Sequence, residues 1–175
     1  MTERFKEFIK RVLQHEGGYV DDPDDRGGAT KYGVIQRTLD YYNKLENDLE
    51  MPASVRDLTT EQAKRVYWAL YWNKYYDEIE EKRLAFKVFD IGINIGVRTA
   101  VKKLQLVLSR HGADLKIDGI FGPKTLHAVN NSIKSLYEAY KTAIEHYYNH
   151  IVAVDKTQRK FLKGWLNRLE YEYTG

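Results

Sequence analysis

The run from Arg83 to Gly96, RLAFKVFDIGINIG, is apolar on nearly every side. A surface helix carries one apolar stripe, whereas a helix that is apolar all round has to be enclosed by other elements. The rest of the chain must therefore supply the enclosure, and what it offers is helical. Phe5, Phe8, Ile9, Val12 and Leu13 repeat at i, i+3, i+4, i+7 and i+8, the spacing of an amphipathic helix. GVIQRTLDYYNKL resumes that spacing through Ile35, Leu39 and Tyr42. Residues 47–58, broken by Pro52, read as a connection. Thr59 with Gln62 forms a capping box ahead of EQAKRVYWALYW. RTAVKKLQLVLSRHG predicts a helix stopping at Gly112, and Pro123 suits the first turn of another. Two more are predicted, from about Ser135 to Val154 and through RKFLKGWLNRLEYE. About seven helices with little strand predict a mainly-α fold. Gly92 and Gly96 are expected to let other backbone approach the central helix. A composition seam near residue 85 suggests two lobes, 1–85 and 86–175, packed as one body.

Composition narrows the function classes. The chain has no cysteine, which excludes disulfides, a thiol nucleophile and thiolate metal sites. No stretch approaches the roughly 20 apolar residues of a membrane span. The charged start, MTERFKEFIKRVLQHE, does not read as a secretory signal. Synthesis in the cytoplasm is therefore expected, with delivery elsewhere requiring a pore, an exporter or lysis. The charge is uneven. Residues 1–100 hold 16 basic and 18 acidic groups, net −2, and residues 101–175 hold 12 and 7, net +5. A mildly cationic second half suits an anionic polymer, and scattered solubilising lysines describe it equally well. Nothing else favours nucleic acid.

One stretch stands apart: residues 14–32, QHEGGYVDDPDDRGGATKY. Glu16 occupies the next position of the first helix's apolar stripe, and Gly17 and Gly18 end that helix. Burial raises a carboxyl pKa, and so does the negative end of a helix. Both push towards a proton retained at neutral pH, the property a general acid needs. The alternative is a last-turn glutamate swung out to water. The segment 19–33 reads as a loop or small hairpin. Asp21, Asp22, Asp24 and Asp25 crowd within it, and one of them could stay ionised opposite Glu16. DDPDD also offers oxygen ligands for calcium, but the EF-hand spacing of Gly and Glu is missing. A solvated turn is the remaining reading.

HEGGYVDDPDDRGGATKYGV closely resembles the EGGY…DPDDPGG.T.YGI signature of the family-108 glycoside hydrolases, which are lysozyme-like N-acetylmuramidases. VYWALYWNKYYDEI, FDIGINIG and KKLQLVL are similar to further segments of that family, in the same order. DGIFGPKTLHAV and FLKGWLNRL resemble its C-terminal peptidoglycan-binding-like region. The resemblance implies a lysozyme-like fold with two helical lobes and cleavage of peptidoglycan glycan strands, without a cofactor or metal. Glu16 then takes the place of the catalytic glutamate, with Asp25 and Thr30 as its partners. The spacing E-x8-D-x4-T is one residue shorter before the threonine than in phage-type lysozymes. Arg26 stands where the family usually has proline.

Tyr19, Tyr32, Trp72 and Asn94 are the candidates for holding sugar. Aromatic faces stack on sugar rings, although Trp68, Tyr71 and Trp72 also describe an ordinary core stripe. Asn94 either reaches a substrate amide or hydroxyl, or caps a helix end. Asp118, Gly119 and Gly122 announce a tight turn. His146 and His150 share a helix face but lack the glutamate of the zinc-protease pattern. The expected activity is hydrolysis of the β-1,4 bond between N-acetylmuramic acid and N-acetylglucosamine by a monomer. The alternatives are a lytic transglycosylase, or a wall-binding or secretion-assisting module without activity.

Overall fold

The computed structural model describes residues 1–15, 29–46 and 48–173. Among them the protein forms eight α-helices, three short 3₁₀ turns and one two-stranded antiparallel sheet, so the fold is mainly α. The chain divides into two compact units, Met1–Trp72 and Asn73–Gly175.

In the first unit, α1 (Glu3–His15) buries Phe5, Phe8, Ile9 and Val12. Each such side chain contributes roughly 1.5–3 kcal/mol when fully removed from water. A hairpin of β1 (Thr30–Lys31) and β2 (Val34–Ile35) follows, with Thr30 opposite Ile35 and Lys31 opposite Val34. The helical spacing expected from Gly33 onward is corrected here. Val34 and Ile35 are β-branched, and they pair as a strand before α2 (Gln36–Glu46) begins. Leu39 and Tyr42 then face inward as expected. A 3₁₀ turn at Val55–Asp57 leads to α3 (Thr60–Tyr71), which packs on α1 and α2. The capping box that opens α3 is complete. Thr59 Oγ1 accepts from the Gln62 amide at 3.3 Å, and Gln62 Oε1 accepts from the Thr59 amide at 2.9 Å.

The second unit is built on α4 (Lys82–Ile95), in which every residue from Leu84 to Gly92 is buried. It packs on α5 (Val97–Arg110) and α7 (Leu136–Val154), and α7 also carries α8 (Arg159–Glu170). The short α6 (Pro123–Asn130) starts at its proline and packs on α5. Gly96 joins α4 to α5 at φ +87°, a left-handed conformation that disfavours any side chain. A Cβ added there would meet nothing within 4 Å, and one added at Gly92 would make only ordinary contact with Val97. The expected close approach is thus found elsewhere, at Gly119. A Cβ at that position would lie 2.5 Å from Arg98 Cγ. Its amide donates to Gln105 Oε1 at 2.8 Å, and Gln105 Nε2 reaches Asp118 Oδ1 and the Ile120 carbonyl.

Two charges sit inside α4. Lys87 is fully buried and donates to the carbonyls of Leu169 and Tyr171 at the end of α8, each at 2.6 Å. Burial lowers its pKa. Asp90 is 3% exposed and accepts from Arg168 Nε at 3.1 Å and Nη2 at 2.8 Å. These contacts bind the last helix to the first helix of the unit.

Candidate functional site

The residues singled out in the sequence fall in both units. In the first, α1 ends at His15, immediately before Glu16. Glu16, Tyr19 and Asp25 lie outside the described residues, as do Asp21, Asp22, Asp24 and Arg26.

Thr30 opens β1, and Tyr32 and Gly33 form the two-residue loop of the hairpin. Their φ values, 53° and 74°, are both left-handed, as a type I′ turn requires. Glycine adopts this freely, whereas for tyrosine it costs roughly 1 kcal/mol. Side chains from elsewhere in the unit hold the loop. Tyr67 on α3 donates its hydroxyl to the Tyr32 carbonyl at 2.9 Å. Lys31 donates to the Arg56 carbonyl at 2.6 Å, and its ammonium lies 5.6 Å from the Tyr32 ring centre. Gln36 donates to the Ala53 carbonyl and accepts from the Val55 amide, at 2.7 and 2.9 Å. The Gln36 amide itself donates to the Ala29 carbonyl. Tyr67 and Gln36 were not legible as site-forming residues, because each acts through its reach to a distant backbone group.

Trp72 caps the C-terminus of α3 and is half-buried. Its ring meets Phe5 edge-on at 5.2 Å and Phe8 at 6.0 Å, and stacks on Trp68 at 6.1 Å. Trp68 also meets Phe5 edge-on at 5.0 Å. Both tryptophans are therefore packed against the inner face of α1, the helix that precedes Glu16 in the chain.

In the second unit, Asn94 lies in the last turn of α4 and is partly exposed. Its Oδ1 accepts from the Tyr148 hydroxyl at 2.7 Å. Burial pushes the Tyr148 phenol well above its ordinary pKa, so it remains a donor across the physiological range. With its oxygen engaged, the Asn94 amide presents its N–H groups, which suit a carbonyl or hydroxyl acceptor. Tyr148 stacks on Trp165 at 5.3 Å, and Trp165 on Phe161 at 6.0 Å. Among the described residues, no three His, Asp or Glu side chains gather where they could hold a metal ion, and no helix is long and apolar enough to cross a membrane.

The model of glycosyl hydrolase family 108 matches residues 9–96. The chain belongs to glycosyl hydrolase family 108. The matched stretch of this family-108 chain runs from α1 to the end of α4 and contains Glu16, Asp25, Thr30, Tyr32, Trp72 and Asn94. A second model, described as a predicted peptidoglycan domain, matches residues 99–170, from α5 to α8. The solved structure of Brucella abortus SagA is 32% identical, with a TM-score of 0.75, over 94% of this chain and 88% of that one. No protein of curated function matches the chain. Family membership makes the protein a glycoside hydrolase, and the second domain makes peptidoglycan its partner.

Proposed function

We propose that the protein is an N-acetylmuramidase that cuts the β-1,4 bond between N-acetylmuramic acid and N-acetylglucosamine. Glu16 is the general acid. Its protonated carboxyl gives a proton to the leaving glycosidic oxygen as the bond to the anomeric carbon breaks. Water adds at that carbon and passes its own proton to a carboxylate, Asp25 or the now ionised Glu16. Asp25, ionised, positions that water or stabilises the positive charge that develops on the sugar, and Thr30 assists from the start of the hairpin. Tyr19, Tyr32, Trp72 and Asn94 bind sugar, with Asn94 donating to an acetamido or hydroxyl oxygen. The protein acts as a monomer on the cell wall.

The observation that carries this reading is the family-108 match across residues 9–96, which spans all three catalytic candidates. The register of α1 supports the role of Glu16. Val12, 2% exposed, stands four residues before it, and in the sequence Glu16 is the next position of that apolar spacing. A carboxyl held on an apolar face keeps its proton more readily than one in water.

The test is digestion of a defined peptidoglycan, followed by mass analysis of the released fragments. The reading requires reducing ends at N-acetylmuramic acid that have gained one water. Anhydro ends would make the protein a transglycosylase instead. Binding without any released fragment would leave only a wall-binding module.

A further inference from the structure

A groove of about 720 Å³ lies in the second unit, between the end of α5 and one face of α6. Its apolar lining is aliphatic: Leu108, Ala113, Leu115, Pro123, Ala128 and Ile133. No Phe, Tyr or Trp ring is among its lining residues. Sugar rings are held chiefly by flat aromatic faces, so this is a poor seat for a glycan. Methyl-sized side chains fit it better.

The polar groups carry both signs. Lys124, in the first turn of α6, stands at the positive end of that helix. Asp114 stands on the loop that leaves α5, and Asn131 caps the negative end of α6. Lys124, Asp114 and Asn131 are all exposed to solvent.

The two histidines of the groove are set in opposite senses. His111 Nδ1 lies 2.8 Å from the Val107 carbonyl, which can only accept, so Nδ1 carries the proton. In the neutral ring, Nε2 of His111 is then an acceptor. Asn131 Nδ2 donates to the His127 carbonyl at 2.8 Å, which fixes the orientation of that amide. The same Nδ2 lies 3.3 Å from His127 Nδ1, which must therefore accept, so Nε2 of His127 is a donor. One acceptor and one donor match the N–H and C=O of a peptide bond. The eight residues of α6 span about 12 Å, close to the roughly 13 Å of four extended residues.

We propose that this groove holds a short extended peptide bearing both a carboxylate and an ammonium group, the peptide stem of peptidoglycan, and not its sugar chain. The inference rests on peptidoglycan being the partner and adds which part of the polymer the second domain grips. Lys124 faces the carboxylate, Asp114 the ammonium, and the aliphatic floor takes the alanyl methyl groups.

The test is a titration of the ¹⁵N-labelled full chain, followed by NMR, with a synthetic stem peptide and separately with a peptide-free glycan oligomer. The peptide should shift the amides of residues 112–115 and 127–132 and the ring signals of His111 and His127. Lys124→Glu and Asp114→Lys, both at exposed positions, should each weaken peptide binding at least about fivefold, since attraction becomes repulsion. Shifts produced by the glycan and not by the peptide would overturn the assignment. So would no shift with either ligand, or unchanged affinity in both variants. Cleavage is read separately. A protein that cuts glycan and ignores the peptide removes this inference alone, and one that binds the peptide but cuts nothing removes the hydrolase reading alone.

Discussion

The two units fasten their chains in different ways. In the first, neutral or half-exposed side chains clasp backbone groups 17 to 35 residues away, as Gln36, Lys31 and Tyr67 do. In the second, buried charges reach 78 to 84 residues, from Lys87 and Asp90 in α4 to the end of α8. The short clasps fix one local feature, the left-handed hairpin loop beside Thr30. The long ones close the whole unit. The entropy of closing a loop grows only slowly with its length, so the longer closure costs little more. The burden falls instead on desolvation, which a buried charge tolerates only while its partners remain.

That contrast predicts a ranking of damage. Asp90→Leu should be the most destabilising, by about 3 kcal/mol, because it strands the Arg168 guanidinium against a buried surface. Chemical denaturation measures this, and a loss under about 1 kcal/mol would mean that the pair does not hold the unit closed. Lys87→Met should cost about 2 kcal/mol by leaving the Leu169 and Tyr171 carbonyls without their donor. Tyr32→Gly should act the other way. It relieves the left-handed strain and raises stability by up to about 1 kcal/mol, while KM for wall fragments increases. A loss of stability as large as that of Asp90→Leu would erase the distinction between local and global fastening.

The smallest effect concerns pH. Burial tends to raise the Glu172 carboxyl, but hydrogen bonds from Tyr137 and Lys141, together with the Lys141 charge, outweigh it and hold the pKa below the ordinary 4.5. A carboxyl depressed in the folded state adds stability above its unfolded value. That stability is lost as pH falls through the folded value. Glu172→Gln should therefore melt earlier than wild type at pH 7, and the two melting temperatures should converge in the acid range below 4.5. A gap that stays constant with pH would assign the effect to packing.

Much of this architecture was legible in the residues themselves. The stripe of α1, the capping box at Thr59, the proline start of α6 and the enclosed character of α4 follow from spacing and from single-residue chemistry. The strand at Val34–Ile35 was hidden, because KYGV lacks the asparagine–glycine pair that announces a two-residue hairpin. Lys87 and Asp90 were hidden for another reason. A charge in an apolar helix acquires its meaning from partners far along the chain, and local periodicity does not encode them. In the candidate site, Thr30, Tyr32, Trp72 and Asn94 were named from sequence, but the groups that hold them, Tyr67, Phe5, Phe8 and Tyr148, act through tertiary reach.

The most direct measurement compares initial rates of sacculus clearing by wild type and Glu16→Gln, with equal folding verified by circular dichroism. Loss of the general acid should slow clearing by about 10²–10⁴-fold, leaving the melting temperature unchanged or higher. Clearing by the variant at the wild-type rate would remove Glu16 from the chemistry.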